Sequence, residues 1–171
     1  NKKCFNRLSK MNNRILQLTV LVVSLVFFCF TEPQDTTTYK CMIQLTNYSG
    51  EGAYIVVSLL NEKEEYEETL YVQGEDAEWF SEITRWWKFY GLRRPNIDAI
   101  TGATVSGGNR TVNLLKIPTE KIDAGYILRF ETSVEDQSYY PDDVQFELTQ
   151  DNLSKQTEGR GFIRYIRMIK Q

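Results

Sequence analysis

Along most of this chain the hydrophobic residues alternate with polar ones at a spacing of two. In "YKCMIQLTN" (39–47), Tyr39, Cys41, Ile43 and Leu45 fall on one face, the signature of a half-buried strand. "AYIVVSLLN" (53–61) follows after the turn-forming "YSGEG", and the two predict an antiparallel hairpin. A third strand is expected near 69–73, behind an acidic run at 62–68 that reads as a solvated connection. "RTVNLLKI" (110–117), "GYILRFETSV" (125–134), "VQFELT" (144–149) and "GFIRYIRMI" (161–169) give four more. One segment has a different period. In "EDAEWFSEITRWWKFYG", Trp79, Ile83, Trp86, Trp87 and Tyr90 sit at i, i+4, i+7, i+8 and i+11, which is one face of an α-helix. The spacing predicts a single helix over 76–90, capped by Asp76 and ended by Gly91 with Pro95, its aromatic face inward. The fold class that follows is mainly β: an immunoglobulin-like antiparallel β-sandwich with one amphipathic helix. Periodicity carries no strand order.

The first 31 residues stand apart from this pattern. They hold no acidic residue but include Lys2, Lys3, Arg7, Lys10 and Arg14, followed by an apolar run over 15–30 broken only by Gln17, Thr19 and Ser24. These are the basic and apolar regions of an export signal. At sixteen residues the run is shorter than the roughly 20 that a spanning helix needs, so cleavage is expected near Glu32. A polar linker over 32–38 and one domain over 39–171 would remain. Met11 offers a later start, which would leave 1–10 upstream. "VFFC", ending at Cys29, has the outline of a lipid-attachment box with a bulky Phe28, so lipid or membrane tethering stands as the alternative to release. The expected location is outside the cytoplasm, periplasmic or at the cell surface.

Without the leader, 15 basic residues face 23 acidic ones, a net charge of −8 that disfavours nucleic acid as a partner. Cys41 is then the sole cysteine, so no internal disulfide forms and packing must supply the stability. The chain has no histidine, which excludes Ser-His-Asp and Cys-His catalysis and removes the usual zinc and copper ligand sets. No catalytic residue and no metal site is expected.

Between the aromatic helix and the fourth strand lies "DAITGAT" (98–104). Its hydroxyls have no base beside them, so Thr104 is a poor nucleophile and a better acceptor. Gly102 and Ala103 leave the backbone bare, a shape that an external enzyme could thread through its own active site. Asp98, Thr101, Gly102, Ala103 and Thr104 resemble the Asp-x-x-Ser/Thr-Gly-Ala-Thr/Ser signature recognised by the bacterial FMN transferase, which moves FMN from FAD onto the last hydroxyl as a phosphoester. The same signature occurs in the flavinylated C subunit of the sodium-pumping NADH:quinone reductase. The surroundings, "YIVVSLLNEKEEYEETLYVQGEDAEWFSEITRWWKF" before the heptad and "GYILRFE" after it, resemble DUF2271, a family of small exported proteins described as predicted periplasmic flavin proteins, over roughly 39–170.

The resemblance implies covalent FMN on Thr104, an FMN transferase as the maturation partner, and an electron carrier, not an enzyme, that serves redox partner proteins at the membrane. Asp98, Thr101, Gly102 and Ala103 would form the recognised loop, and Trp87 and Tyr90 are the aromatic residues expected to cover a flavin ring. In one respect the chain departs from the family pattern. Relatives continue Thr-Arg-x-Pro-Gly where this chain has Val105, Ser106 and Gly107, leaving Arg110 or Arg93 as the candidates to replace the missing guanidinium. Two other readings stay open: a non-redox structural or adhesive module in which "TGATVSGGN" is an ordinary loop, and a flavoenzyme acting on a small exported substrate with Tyr90 or Asp98 as proton donor.

Overall fold

The computed structural model describes residues 35–74, 76–93 and 100–171. The expected export leader and residues 32–34 of the expected linker lie outside them, as do Pro95 and Asp98; the rest of that linker is described, and from Thr36 on it is strand, not linker. Nine strands occur among the described residues: β1 (Thr36–Leu45), β2 (Tyr54–Leu60), β3 (Tyr66–Gln73), β4 (Thr101–Gly102), β5 (Arg110–Pro118), β6 (Ile127–Ser133), β7 (Tyr139–Glu147), β8 (Gln156–Glu158) and β9 (Ile163–Lys170). A 3-10 turn (Ala77–Glu82) leads into helix α1 (Thr84–Arg93), and a second, short helix α2 (Gln150–Ser154) follows β7. Seven of the strands are those the alternation predicts. The two- and three-residue strands β4 and β8 are too short to show a period.

The strands form two sheets, in the orders β5-β1-β9-β8 and β4-β3-β2-β6-β7. They face one another as a β-sandwich. Strands β9, β1 and β5 occupy the places of strands A, B and E of an immunoglobulin-like domain, while β7, β6, β2 and β3 occupy those of G, F, C and C′. The place of the first strand is taken by the last. All pairings are antiparallel except that of β4 with β3, which is parallel.

The hairpin expected between 39–47 and 53–61 does not form. β1 pairs with β5 and β9, whereas β2 pairs with β3 and β6, so the connection between them crosses from one sheet to the other. Alternation reports which face of a strand is buried, and says nothing of the partner on its edge. Tyr39, Cys41, Ile43 and Leu45 do point together into the sandwich core. Burial pushes the Cys41 thiol up to about 12, which leaves it an inert filler of that core. β3 begins at Tyr66, inside the acidic run read as a connection; Glu68 is half-buried there, and desolvation raises its carboxyl despite the attraction of Lys121.

β2 is buried on both faces. Ile55, Val57 and Leu59 enter the sandwich core, while Tyr54 and Val56 enter a second cluster with Val72, Phe80, Ile83 and Trp86 beneath α1. The molecule is therefore three layers deep over the five-stranded sheet. The segment expected as a single helix over 76–90 is instead a 3-10 turn joined to an α-helix that runs on through Gly91 to Arg93. Asp76 caps the 3-10 turn by accepting the Glu78 N–H at 3.1 Å. The break falls at Ile83, whose backbone is non-helical, and it keeps Phe80, Ile83 and Trp86 on one buried side.

Buried polar groups tie the layers together. Glu131, fully buried on β6, accepts the hydroxyls of Tyr66 (2.5 Å) and Tyr139, and Tyr139 in turn accepts the Arg85 N–H at 3.1 Å. Desolvation raises the Glu131 carboxyl above its ordinary range; the hydrogen bonds of Tyr139 and Tyr66, the Arg129 charge and the Trp86 backbone oppose that rise. Asp143 accepts from Thr132 Oγ1 and from the N–H groups of Arg160, Gly161 and Ile163, at 2.5 to 2.9 Å, and so fixes the turn between β8 and β9.

Candidate attachment site

The heptad's described half, 100–104, leaves the helix layer and reaches the end of the sandwich where several loops meet. Ile100 packs in the cluster under α1, together with Trp87 and Tyr90. Thr101 and Gly102 then pair with Val72 and Gln73, adding β4 to the edge of the five-stranded sheet. The Gly74 N–H donates to the Gly102 carbonyl, and the buried Gln73 amide donates to the Ala103 carbonyl. Gln73 is itself held from the other sheet, its Oε1 accepting from Thr111 at 3.2 Å and from Asn113 at 3.1 Å.

Past Thr104 the chain is pinned again. Val105 and Ala53 exchange backbone hydrogen bonds, the Tyr48 hydroxyl donates to the Val105 carbonyl at 3.0 Å, and the Gly108 N–H donates to the Thr46 carbonyl at 2.8 Å. Thr104, an exposed residue, stands between these anchors. Its position depends on two glycines. A Cβ on Gly52 would come within 2.5 Å of Thr104 Oγ1 and 2.6 Å of Thr104 Cβ, and a Cβ on Gly102 would overlap the Tyr71 hydroxyl. Small residues are needed here by the protein's own packing, a reason that pattern reading did not supply. Ser106, two residues on, is exposed as well.

Trp87 and Tyr90 are half-buried on α1. Tyr90 stacks on the fully buried Trp86 (centroids 4.7 Å, 13° between planes), and Trp87 lies tilted against both at 6.4 and 5.7 Å. Trp86 donates its indole N–H to Thr69 Oγ1 at 2.8 Å. The three rings act together as the core of the helix layer, and the same cluster holds Ile100, so the aromatic segment anchors the heptad at that residue. Asp98 falls outside the described residues. Arg110, a candidate partner for a phosphate, donates from Nε to Gln44 Oε1 at 3.1 Å and from an Nη to the Tyr165 hydroxyl at 3.4 Å, on the outer face of the other sheet.

The loops around Thr104 carry negative charge. Glu51 precedes Gly52, and the Glu135 carboxyl is raised by desolvation and then by the charges of Asp136, Glu51, Glu82 and Glu78. Tyr54, at the start of β2, is raised by burial and then by Asp76, Glu135 and Glu82. These carboxylates are dispersed, and no group of three or more metal-ligating side chains that could hold an ion occurs among the described residues.

Fold and site together define a two-sheet sandwich that presents one threonine at its loop end, on backbone fixed from both sides. The family described as "Predicted periplasmic protein (DUF2271)" matches residues 36–165, and the chain belongs to it. That description agrees with the export leader read in the sequence, and no helix among the described residues is long and apolar enough to cross a membrane. No curated protein and no solved structure matches the chain.

Proposed function

We propose that Thr104 carries FMN through a phosphoester and that the domain is an exported electron carrier between partners at the membrane. The observation that supports this best is the contrast at Thr104: an exposed residue on a strip of backbone held at Gly102, Ala103 and Val105. A transferase that must seat this hydroxyl against the FMN-side phosphorus of FAD gains from a target that loses little freedom on binding. In that step the Thr104 oxygen bonds to phosphorus, the pyrophosphate bond breaks, AMP leaves, and the hydroxyl proton passes to a base of the transferase.

Bound flavin would supply one- and two-electron transfer; this chain's part is to hold it at the rim and set its surroundings. Glu51 and its acidic neighbours would disfavour added negative charge and so lower the potential. With Arg110 engaged elsewhere, the negative field is not offset by that residue. Trp87 and Tyr90 would serve the site through Ile100 as its foundation, and Asp98 is assigned to recognition by the transferase.

The second reading, a non-redox module, draws on the packing at Gly52 and Gly102, because those glycines are required even without a flavin. In-gel flavin fluorescence of denatured protein, coexpressed with the transferase, separates the two. The parent and Thr104→Ser should fluoresce, Thr101→Val weakly, Asp98→Asn barely and Thr104→Val not at all. A dark parent with transferase and FAD both present would leave the module reading.

A further inference from the structure

The outer face of the four-stranded sheet differs in character from the rest of this acidic domain. Directly paired residues share a face, and the register places Val112 beside Met42 and Arg167, and Leu114 beside Lys40 and Ile169, with Arg110 and Lys116 closing the two ends of β5. Val112, Leu114 and Ile169 are 47%, 63% and 46% exposed, large values for side chains of this kind. Four cations surround them. The one carboxylate paired into these rows is Glu158, at the far corner on β8.

An apolar centre ringed by fixed positive charge complements a surface that is anionic outside and apolar beneath, which is the interface of a phospholipid bilayer. A second copy docked through the same face would set cation against cation under a two-fold axis. Of the acidic residues, Asp76, Glu78 and Glu82 in the helix layer lie behind a second sheet, about 10 Å or more from this face, which is a Debye length at physiological salt. Arg167 and Lys170 also line a cleft of about 410 Å³ beside β9, with Tyr39 and Leu153 in its wall, large enough for one headgroup.

We propose that this face docks the domain on an anionic phospholipid membrane, with Val112, Leu114 and Ile169 entering the headgroup layer and Lys40, Arg110, Lys116 and Arg167 pairing with lipid phosphates. The assignment makes no use of Thr104 and holds with or without a flavin. Residues 35–171 are one compact unit with its own core, so a chain over 32–171 tests the face apart from the leader. It is sedimented with vesicles of phosphatidylcholine alone and of phosphatidylcholine mixed with phosphatidylglycerol. Binding should be at least about tenfold tighter on the anionic vesicles and should weaken with added salt. Lys40→Gln with Arg167→Gln should weaken it by about 30-fold, the loss of two cations at an anionic surface. Val112→Ser with Leu114→Ser should weaken it too, while Lys63→Gln, on the β2–β3 turn, should leave it unchanged. Melting curves check that each variant is folded. Equal sedimentation with both vesicle types, or no loss in the Lys40/Arg167 variant, overturns the proposal. Retention on polyglutamate without vesicle binding also overturns it and assigns the face to an acidic protein.

Discussion

Gly102→Ala adds one methyl group where the Tyr71 hydroxyl already lies. The backbone at Gly102 is outside the left-handed region, so alanine meets no conformational strain there. The obstacle is overlap with one oxygen, because Tyr71 Cζ would stand at 3.5 Å and Gln73 Nε2 at 3.7 Å, both ordinary contacts. Overpacking of this kind costs about 1–3 kcal/mol. Tyr71→Phe removes the oxygen and by itself should cost no more than about 1 kcal/mol. The double variant should therefore recover about 1–2 kcal/mol relative to the sum of the single changes. Urea unfolding followed by tryptophan fluorescence reads this as a shift of midpoint at constant slope. Single-variant costs that add to within about 0.5 kcal/mol would refute the steric argument. The same proteins, coexpressed with the transferase, test recognition separately. If the enzyme reads bare backbone at Gly102, labelling stays poor in the double variant although its stability has returned. Labelling that recovers in step with stability would reduce Gly102 to a packing residue.

Trp86→Ala should destabilise by about 3–5 kcal/mol, since the indole is fully buried, stacked and bonded to Thr69; a loss below about 1 kcal/mol would contradict its place in the core. Glu131→Gln tests the buried carboxyl through pH. Its folded value is raised above 4.5, so its stabilising share is present below that value and is lost as pH rises through the folded one. The glutamine variant should gain on the parent as pH increases over that window, and parallel stability curves would show that the group does not titrate there. In flavin-loaded protein, Glu51→Gln with Glu135→Gln should raise the midpoint potential and weaken its dependence on salt, as measured by spectroelectrochemistry. An unchanged potential would remove the acidic loops from the account.

Period-two alternation gave the seven main strands because each places one face in an apolar layer, as Tyr39, Cys41, Ile43 and Leu45 do in β1. The wrong pairing of β1 with β2 has the same origin, since a side-chain period is blind to backbone partners. β2 is the strand least like its pattern, being buried against the helix on one face and the sandwich on the other. The helix was visible from its aromatic spacing, but not the 3-10 turn before it. That break depends on how Phe80 and Ile83 fill the space above Tyr54 and Val72, a tertiary matter. At the site, the loop that carries Thr104 was legible and its mounting was not. Gln73, Gly52 and Tyr71 stand thirty residues or more from Thr104 along the chain and carry no motif, so their part emerges only when β3, β4 and the β1–β2 connection come together.

Intact mass followed by peptide mapping tests the proposed covalent bond at Thr104 Oγ1 directly. Protein expressed with and without the FMN transferase should differ by a single FMN adduct, carried by the peptide containing 98–109 and fragmenting at Thr104. Ser106, exposed two residues away on the same loop, is the internal control for a hydroxyl that is merely accessible. Thr104→Val should abolish the adduct and leave the melting temperature of the apoprotein near that of the parent. An adduct on Ser106, an adduct that survives Thr104→Val, or identical masses with and without the transferase would contradict the account.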